Sequence, residues 1–304
     1  MENKASNMQI TEQRNPNTYD LDKLDIKEIV EIINEEDKTV AESVSLAIDS
    51  IASLVGAILS KFKKGGRLIY VGSGTSGRLG IIDAVECIPT FSIEPGQVIG
   101  LLAGGQDAMF TAIEGKEDEE KSGQKELANL NITELDSVIG IAASGETPYV
   151  IGALKEANSA GALTAALVCN RNTELKSIAD HTIEVIVGPE VLTGSTRMKA
   201  GTAQKMVLNI ISTTLMIKLG KVYSNLMVDL NVSNKKLKKR AINIFQEIVD
   251  INEREAREYL KKADFNLKLA IVMQQKNCSI QAARDLLATA DGRLNQIINR
   301  GGLV

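Results

Sequence analysis

The run Leu68-Ile69-Tyr70-Val71-Gly72-Ser73-Gly74-Thr75-Ser76-Gly77-Arg78 decides how this chain folds. Four consecutive apolar residues end at a glycine, and the stretch that follows, Ser76–Cys87, changes to helical spacing. A short, near-continuous apolar run bounded by turn residues is what a strand buried on both faces requires. The same signature recurs at Val98–Ala103, Val138–Ala143, Leu163–Val168 and Ile183–Val187. Helical stretches separate most of these runs, at Glu117–Leu130 and Pro148–Ala160, and a long one, Thr196–Leu219, closes the series. Strand alternating with helix predicts an α/β protein, a three-layer sandwich around a mostly parallel five-stranded sheet.

Outward from this core the pattern is helical. Residues 1–25 are polar, carry Asn15-Pro16-Asn17 and read as an extended arm. Apolar residues at Ile26, Ile29, Val30 and Ile33 predict a helix over Ile26–Glu36, and a second over Val40–Lys64 is stopped by Gly65-Gly66. From Ser233 the composition shifts. Lys235, Lys236, Lys238, Lys239 and Arg240 form a basic run that reads as a solvated helix face, and the remainder to Arg300 reads as short helices. The expected organisation is an arm with helices over 1–57, the sheet domain over 58–221 and a small helical region over 222–304.

Composition excludes several functions. The 304 residues carry 35 Lys+Arg against 39 Asp+Glu, a net charge of −4, so no basic surplus awaits a nucleic acid. Aromatics are 3% with no Trp, which disfavours platforms of stacked rings. Cys87, Cys169 and Cys278 form no CxxC and no zinc spacing; they read as reduced packing thiols in a cytoplasm. The polar N-terminus predicts no signal peptide, and the apolar runs are too short to span a bilayer, so no membrane partner is expected. His181 is the one histidine, which leaves acid–base chemistry at neutral pH mainly to carboxylates, Lys or Tyr.

In an open parallel sheet, ligands bind beyond the carboxyl ends of the strands. After the first strand, Gly72, Gly74 and Gly77 match GxGxxG. Hydroxyls at Ser73, Thr75 and Ser76 suit a phosphate monoester better than a pyrophosphate, and no acid stands at the end of the next strand, where Leu101-Leu102-Ala103-Gly104-Gly105 runs. Phosphate binding is the reading preferred to a dinucleotide or a purely structural turn. After the third strand comes Ser144-Gly145-Glu146-Thr147-Pro148, a second hydroxyl loop entering a helix, where Thr147 either caps the helix or contacts a ligand. A third loop, Leu192-Thr193-Gly194-Ser195-Thr196-Arg197, opens the last helix of the series and faces the same crevice in this reading.

These segments carry a resemblance. Gly72–Pro89, Ala112–Asp118, Ala143–Gly152 and Val187–Thr213, with Arg14-Asn15-Pro16 and Gly220–Asp229, resemble the N-acetylmuramic acid 6-phosphate etherases, which have the sugar isomerase (SIS) fold. The resemblance covers nearly the whole chain and is weakest beyond about residue 245. It implies cleavage of the lactyl ether at C3 of the sugar phosphate, by elimination and then hydration, to N-acetylglucosamine 6-phosphate and D-lactate. It also implies two catalytic glutamates, carried over to Glu86 in Asp83-Ala84-Val85-Glu86-Cys87 and to Glu117 in Glu114-Gly115-Lys116-Glu117-Asp118, and it makes Glu86 the proton donor. Where the family has Pro directly after the Cys, Ile88 precedes Pro89 here. The implied substrate contacts are Ser73, Gly74, Thr75, Ser76, Ser144, Gly145, Glu146, Thr147 and Ser195. The fold family implies a homodimer with the site near the interface, for which the two leading helices are apolar enough.

The chemistry is consistent with that expectation. An ether oxygen needs a proton to leave, and a base must take the hydrogen at C2; two carboxylates with separated pKa values can do both. Read without the resemblance, Glu86 is a surface residue at a helix end and Glu117 a first-turn acid favoured by the helix dipole. Glu114 is the nearest rival to Glu117. Arg197, Lys199 and Lys205 are candidates for holding an anion or for pairing on a helix, and His181 reads as structural. No metal and no cofactor are expected. Two other readings share the loops: a SIS-type sugar-phosphate sensor, which needs no acids, and a SIS-type aldose–ketose isomerase, which needs one glutamate base.

Overall fold

The structure is a computed structural model that describes residues 8–232 and 234–298. The first seven residues of the arm, Ser233 and the last six residues lie outside the described residues. The chain divides into two compact units, one of residues 1–85 and 96–212, the other of residues 86–95 and 213–304.

The first unit begins with the arm. Over its described residues it is not extended: it coils into short 3-10 turns at Ile10–Glu12, Pro16–Thr18 and Leu21–Lys23. The Asn15 side chain accepts from the Asn17 N–H, which closes the turn at Pro16. Helices α1 (Ile26–Ser45) and α2 (Ile48–Phe62) follow. A capping box between Asp25 and Glu28 starts α1. The break between them comes at Leu46 and Ala47, nine residues later than the sequence reading placed it, because nothing in Asp37-Lys38-Thr39 interrupts helical hydrogen bonding.

The sheet core then follows in chain order: β1 (Leu68–Gly72), α3 (Gly74–Phe91), β2 (Val98–Leu102), α4 (Asp107–Phe110), α5 (Glu120–Ala128), β3 (Ser137–Ile141), α6 (Pro148–Ser159), β4 (Leu163–Val168), α7 (Glu174–Ile178), β5 (His181–Glu184) and α8 (Lys199–Lys218). All pairings are parallel and the strand order is β2-β1-β3-β4-β5. The fold class is the one expected, and the sheet is wholly parallel. His181 opens β5 opposite Ala165, so it is half-buried backbone lattice at the sheet edge.

Alternation along the strands builds the three layers. Ile69, Val71, Val138 and Ala166 face α5 and α6, packing with Leu127, Tyr149, Val150 and Leu154. The opposite face takes α3: a Cβ at Gly80 would stand 2.9 Å from Tyr70, and one at Gly100 would stand 2.7 Å from Ile81. α3 runs on through Pro89 to Phe91 rather than ending before the proline, since one proline removes only one helical N–H.

The second unit is helical: α9 (Lys235–Ile248), α10 (Glu253–Lys262), α11 (Leu267–Lys276), α12 (Ile280–Thr289) and α13 (Leu294–Ile297). Asn234, Asn252, Asn266 and Ser279 each accept a backbone N–H three residues on, which is why α9 to α12 start where they do. Phe245, Leu260, Leu267 and Ile271 centre its core. The basic run of α9 is exposed, as a solvated face should be. The Lys268 ammonium is buried and pairs with Asp229 at 2.7 Å.

Candidate active site

The strand order reverses between β1 and β3, and there the register sets Gly72 opposite Ile141. The chain segments Ser73–Gly77 and Ala142–Thr147 therefore leave the sheet side by side, at the switch point where open α/β sheets bind ligands. The first loop turns tightly because Gly72 and Gly77 touch: a Cβ on Gly72 would lie 2.6 Å from the Gly77 nitrogen. α3 starts directly from this loop, so its first N–H groups and its positive dipole end point outward beside three hydroxyls.

The second loop is built around Gly145, whose φ of 71° is left-handed and whose Cβ position is taken up by Thr173. Ser144 Oγ accepts from the Glu146 N–H at 3.2 Å, which leaves its own proton available. Thr147 stands at the N-cap of α6 yet makes no side-chain capping hydrogen bond, so the simple capping role does not account for it. Ser144 and Thr147 are half-buried and Glu146 is exposed.

The third loop leads from β5 into α8. Glu190 is fully buried and accepts from the N–H groups of Lys199 (2.8 Å) and Ala200 (2.9 Å), fixing the start of α8. Burial pushes its carboxyl above the usual range despite those bonds and the Lys199 charge. Ser195 is half-buried within this loop. Lys199 is no free cation: its ammonium is buried and pairs with Glu36 at 2.7 Å, and Asn15 and Asn17 bond the same carboxylate, each at 2.8 Å. Arg197 and Lys205 are exposed.

Glu117 does not open α5. It sits in a separate 3-10 turn, Lys116–Asp118, because Gly115 is left-handed before it and Glu119 breaks the helical path after it. Its side chain, like that of Glu114, is exposed. This turn belongs to the β2–α5 connection, which leaves the same carboxyl edge of the sheet as the hydroxyl loops. The Arg78 guanidinium, from the first turns of α3, donates to the carbonyls of Ala108, Met109 and Thr111 in that connection. Tyr149, just after the second loop, donates to Glu126 of α5 at 2.6 Å; burial, then that carboxylate, raise its phenol pKa.

Glu86 is exposed and lies far along α3. That helix runs from Gly74 to Phe91. Within one chain, then, the hydroxyl loops and the Glu117 segment share the sheet's carboxyl edge.

Sequence reading passed over two residues that the structure ties to the site. Asp83 is buried and accepts from Tyr70 (2.9 Å), Asn209 (2.6 Å) and Ser212 (3.0 Å), which locks the roll of α3. Gln204 of α8 accepts from Ser76 Oγ at 2.9 Å. A lone acid or amide inside an apolar helical stripe was the available signal for both. Among the described residues no group of His, Cys, Asp or Glu is placed to hold a metal ion, and no single helix is long and apolar enough to cross a membrane.

The fold and its hydroxyl loops define a SIS-type chain. The SIS domain family matches residues 117–213, the glucokinase regulatory protein N-terminal SIS domain residues 50–158, and the C-terminal lid domain of glucokinase regulatory protein residues 224–269. The structure of a phosphoheptose isomerase from Francisella tularensis has the same fold: TM-score 0.51, 17% identity, over 63% of this chain and 98% of that one. Over its length the chain is 54% identical to the N-acetylmuramic acid 6-phosphate etherase of Caldanaerobacter subterraneus subsp. tengcongensis, covering 97% of this chain and 96% of that protein. It is 51% identical to the etherase of Bacillus subtilis, covering 95% of each. The chain belongs to the N-acetylmuramic acid 6-phosphate etherase family.

Proposed function

We propose that this chain is a carbon–oxygen lyase that cleaves the C3 lactyl ether of N-acetylmuramic acid 6-phosphate by elimination and hydration, giving N-acetylglucosamine 6-phosphate and D-lactate. The observation that carries the reading is the pair of hydroxyl loops leaving β1 and β3 together at the Gly72–Ile141 register, in a chain of this family. Ser73, Gly74, Thr75 and Ser76 with Ser144, Gly145, Glu146 and Thr147 surround the phosphate and sugar, and Ser195 closes the third side. Half-buried hydroxyls beside a helix N-terminus are suited to a dianion.

Glu86 and Glu117 are the acid–base pair. One carboxylate removes the C2 proton of the ring-opened sugar while a protonated one assists the departing lactate oxygen. The reading includes a homodimer with the site near the interface, to which the second copy brings its Glu86. Apolar Ile82 and Val85 stand exposed beside Glu86, and Ile26, Val30 and Ile48 are exposed on α1 and α2, as an interface would use them. The location in this reading is cytoplasmic, where such an enzyme recycles cell-wall amino sugars.

Incubation with the phosphorylated muramic acid in ¹⁸O-labelled water tests the reaction. Lactate should appear with no label in its hydroxyl, and label should enter C3 of the sugar. Release of no lactate returns the chain to a sugar-phosphate sensor or an isomerase, and label in the lactate hydroxyl overturns elimination.

A further inference from the structure

Gln204 is 1% exposed, on the face of α8 turned toward the first hydroxyl loop. One turn earlier, Gly201 gives room to the Thr75 methyl: a Cβ there would stand 3.3 Å from Thr75 Cγ2. α8 is thus fitted against Thr75 and Ser76 together. The Gln204 amide is only half used. Its Oε1 accepts the Ser76 hydroxyl, but its Nε2 is buried and has no acceptor among the described residues.

A buried N–H without an acceptor is rare in folded proteins, and more so than a carbonyl short of a donor. Ser76 meanwhile has spent its one proton on Gln204 and has none for a ligand. A single half-turn of the amide cures both defects. Nε2 then donates to Ser76 Oγ, the Ser76 proton is released toward the loop, and the group left unpaired is the more tolerable carbonyl. The buried N–H therefore favours the turned amide, which leaves the Ser76 proton free for a phosphate oxygen.

We infer that Gln204 is a positioning residue for substrate binding: its buried amide N–H donates to Ser76 Oγ and so directs the Ser76 proton to a phosphate oxygen. The inference rests on the phosphate reading of the Ser73–Gly77 loop and adds the residue that sets the loop's hydrogen-bond polarity. Gln204 touches Ser76 and acts through it.

Two replacements of similar size test this. In Q204E the introduced carboxyl can donate to Ser76 only while protonated. Its KM for the sugar 6-phosphate should therefore climb about 10- to 100-fold as pH rises through that carboxyl's titration, the loss of one charge-assisted hydrogen bond, with kcat changing far less. Q204M can neither hold nor supply a proton, so its KM should be raised at every pH with a profile parallel to the native one. Thermal unfolding of both variants reports any packing effect separately. A Q204E profile that runs parallel to the native enzyme's, or a fall in kcat at unchanged KM in both variants, overturns the inference. Ser76→Ala distinguishes the two levels. If it binds the sugar phosphate as tightly as the native enzyme, the phosphate reading of the loop fails and this inference falls with it. If it weakens binding while the KM of Q204E stays native at all pH, the Gln204 role alone fails.

Discussion

The Arg78 guanidinium is held on the Ala108 carbonyl, with Nη2 at 2.7 Å and Nε at 3.0 Å. Arg78 stands two residues after Ser76, and Ala108 lies in the connection that carries Glu114 and Glu117. The fork therefore ties the hydroxyl loop to the acidic segment. A lysine keeps the charge but cannot straddle one carbonyl and reach Met109 and Thr111 as well. Arg78→Lys should lower kcat by about 10- to 100-fold, the cost of an ångström-scale misplacement of a catalytic group, and the amides of Met109 and Thr111 should exchange faster. Steady-state kinetics and hydrogen exchange check it; native kcat with native exchange would show the fork is dispensable.

The acidic segment itself sets up a ranking. Glu117 and Glu114 are both exposed and flank Gly115, so exposure does not choose between them. Glu117→Gln should lose about 10²–10⁴ in kcat, as removal of a general acid or base does, while Glu114→Gln stays within a few fold. Lactate release at saturating substrate measures both, and the reverse ranking would transfer the role to Glu114.

What could be read in advance follows from the physics of each element. The strands were legible because parallel strands buried on both faces leave unbroken apolar runs, and Leu163–Val168 is recovered to the residue. The two loops were legible as turns because Gly, Ser and Thr concentrate where β1 and β3 give way to α3 and α6. The arm was not, since its turns depend on Asn15 and Asn17 meeting Glu36 and on Thr18 donating to the Val191 carbonyl, both far off in sequence. Glu117 was read as opening a helix because a first-turn acid has the same sequence signature whether the turn continues or stops; the left-handed Gly115 decides it.

The homodimer reading leads to a test by mixing. A dimer of E86Q with the double variant S76A/T147V holds one site with intact loops facing an intact Glu86 from the other copy. If Glu86 acts across the pair, two nearly inactive proteins, mixed and allowed to exchange subunits, should recover about a quarter of native activity, by the statistics of a two-fold pair. If Glu86 acts within its own chain, every site in the mixture lacks a component and activity stays at the level of the parents. Lactate assay after subunit exchange decides between them.

The last prediction concerns the opposite end of the sheet, where Asp136 precedes β3. Its carboxylate accepts from the Arg67 N–H (2.9 Å), from Arg67 Nε (3.0 Å) and Nη2 (2.7 Å), and from the Thr133 N–H (2.9 Å). Burial pushes this carboxyl up, but the Arg67 and backbone hydrogen bonds and the Arg67 charge outweigh it and leave the pKa below its ordinary 3.8. A carboxyl with a lowered folded pKa binds more protons when unfolded. Its stabilisation is therefore complete above the unfolded value and disappears as pH falls through the folded one. Removing one partner of a buried pair costs about 3–5 kcal/mol, so Asp136→Asn should destabilise the sheet-bearing unit by roughly that much at pH 7. The deficit should shrink as the pH is lowered below about 4, because the native protein loses the same interaction there. Urea unfolding of both proteins at pH 7 and pH 3 measures it. A deficit that is the same at both pH values would mean that Asp136 acts by shape and not by charge.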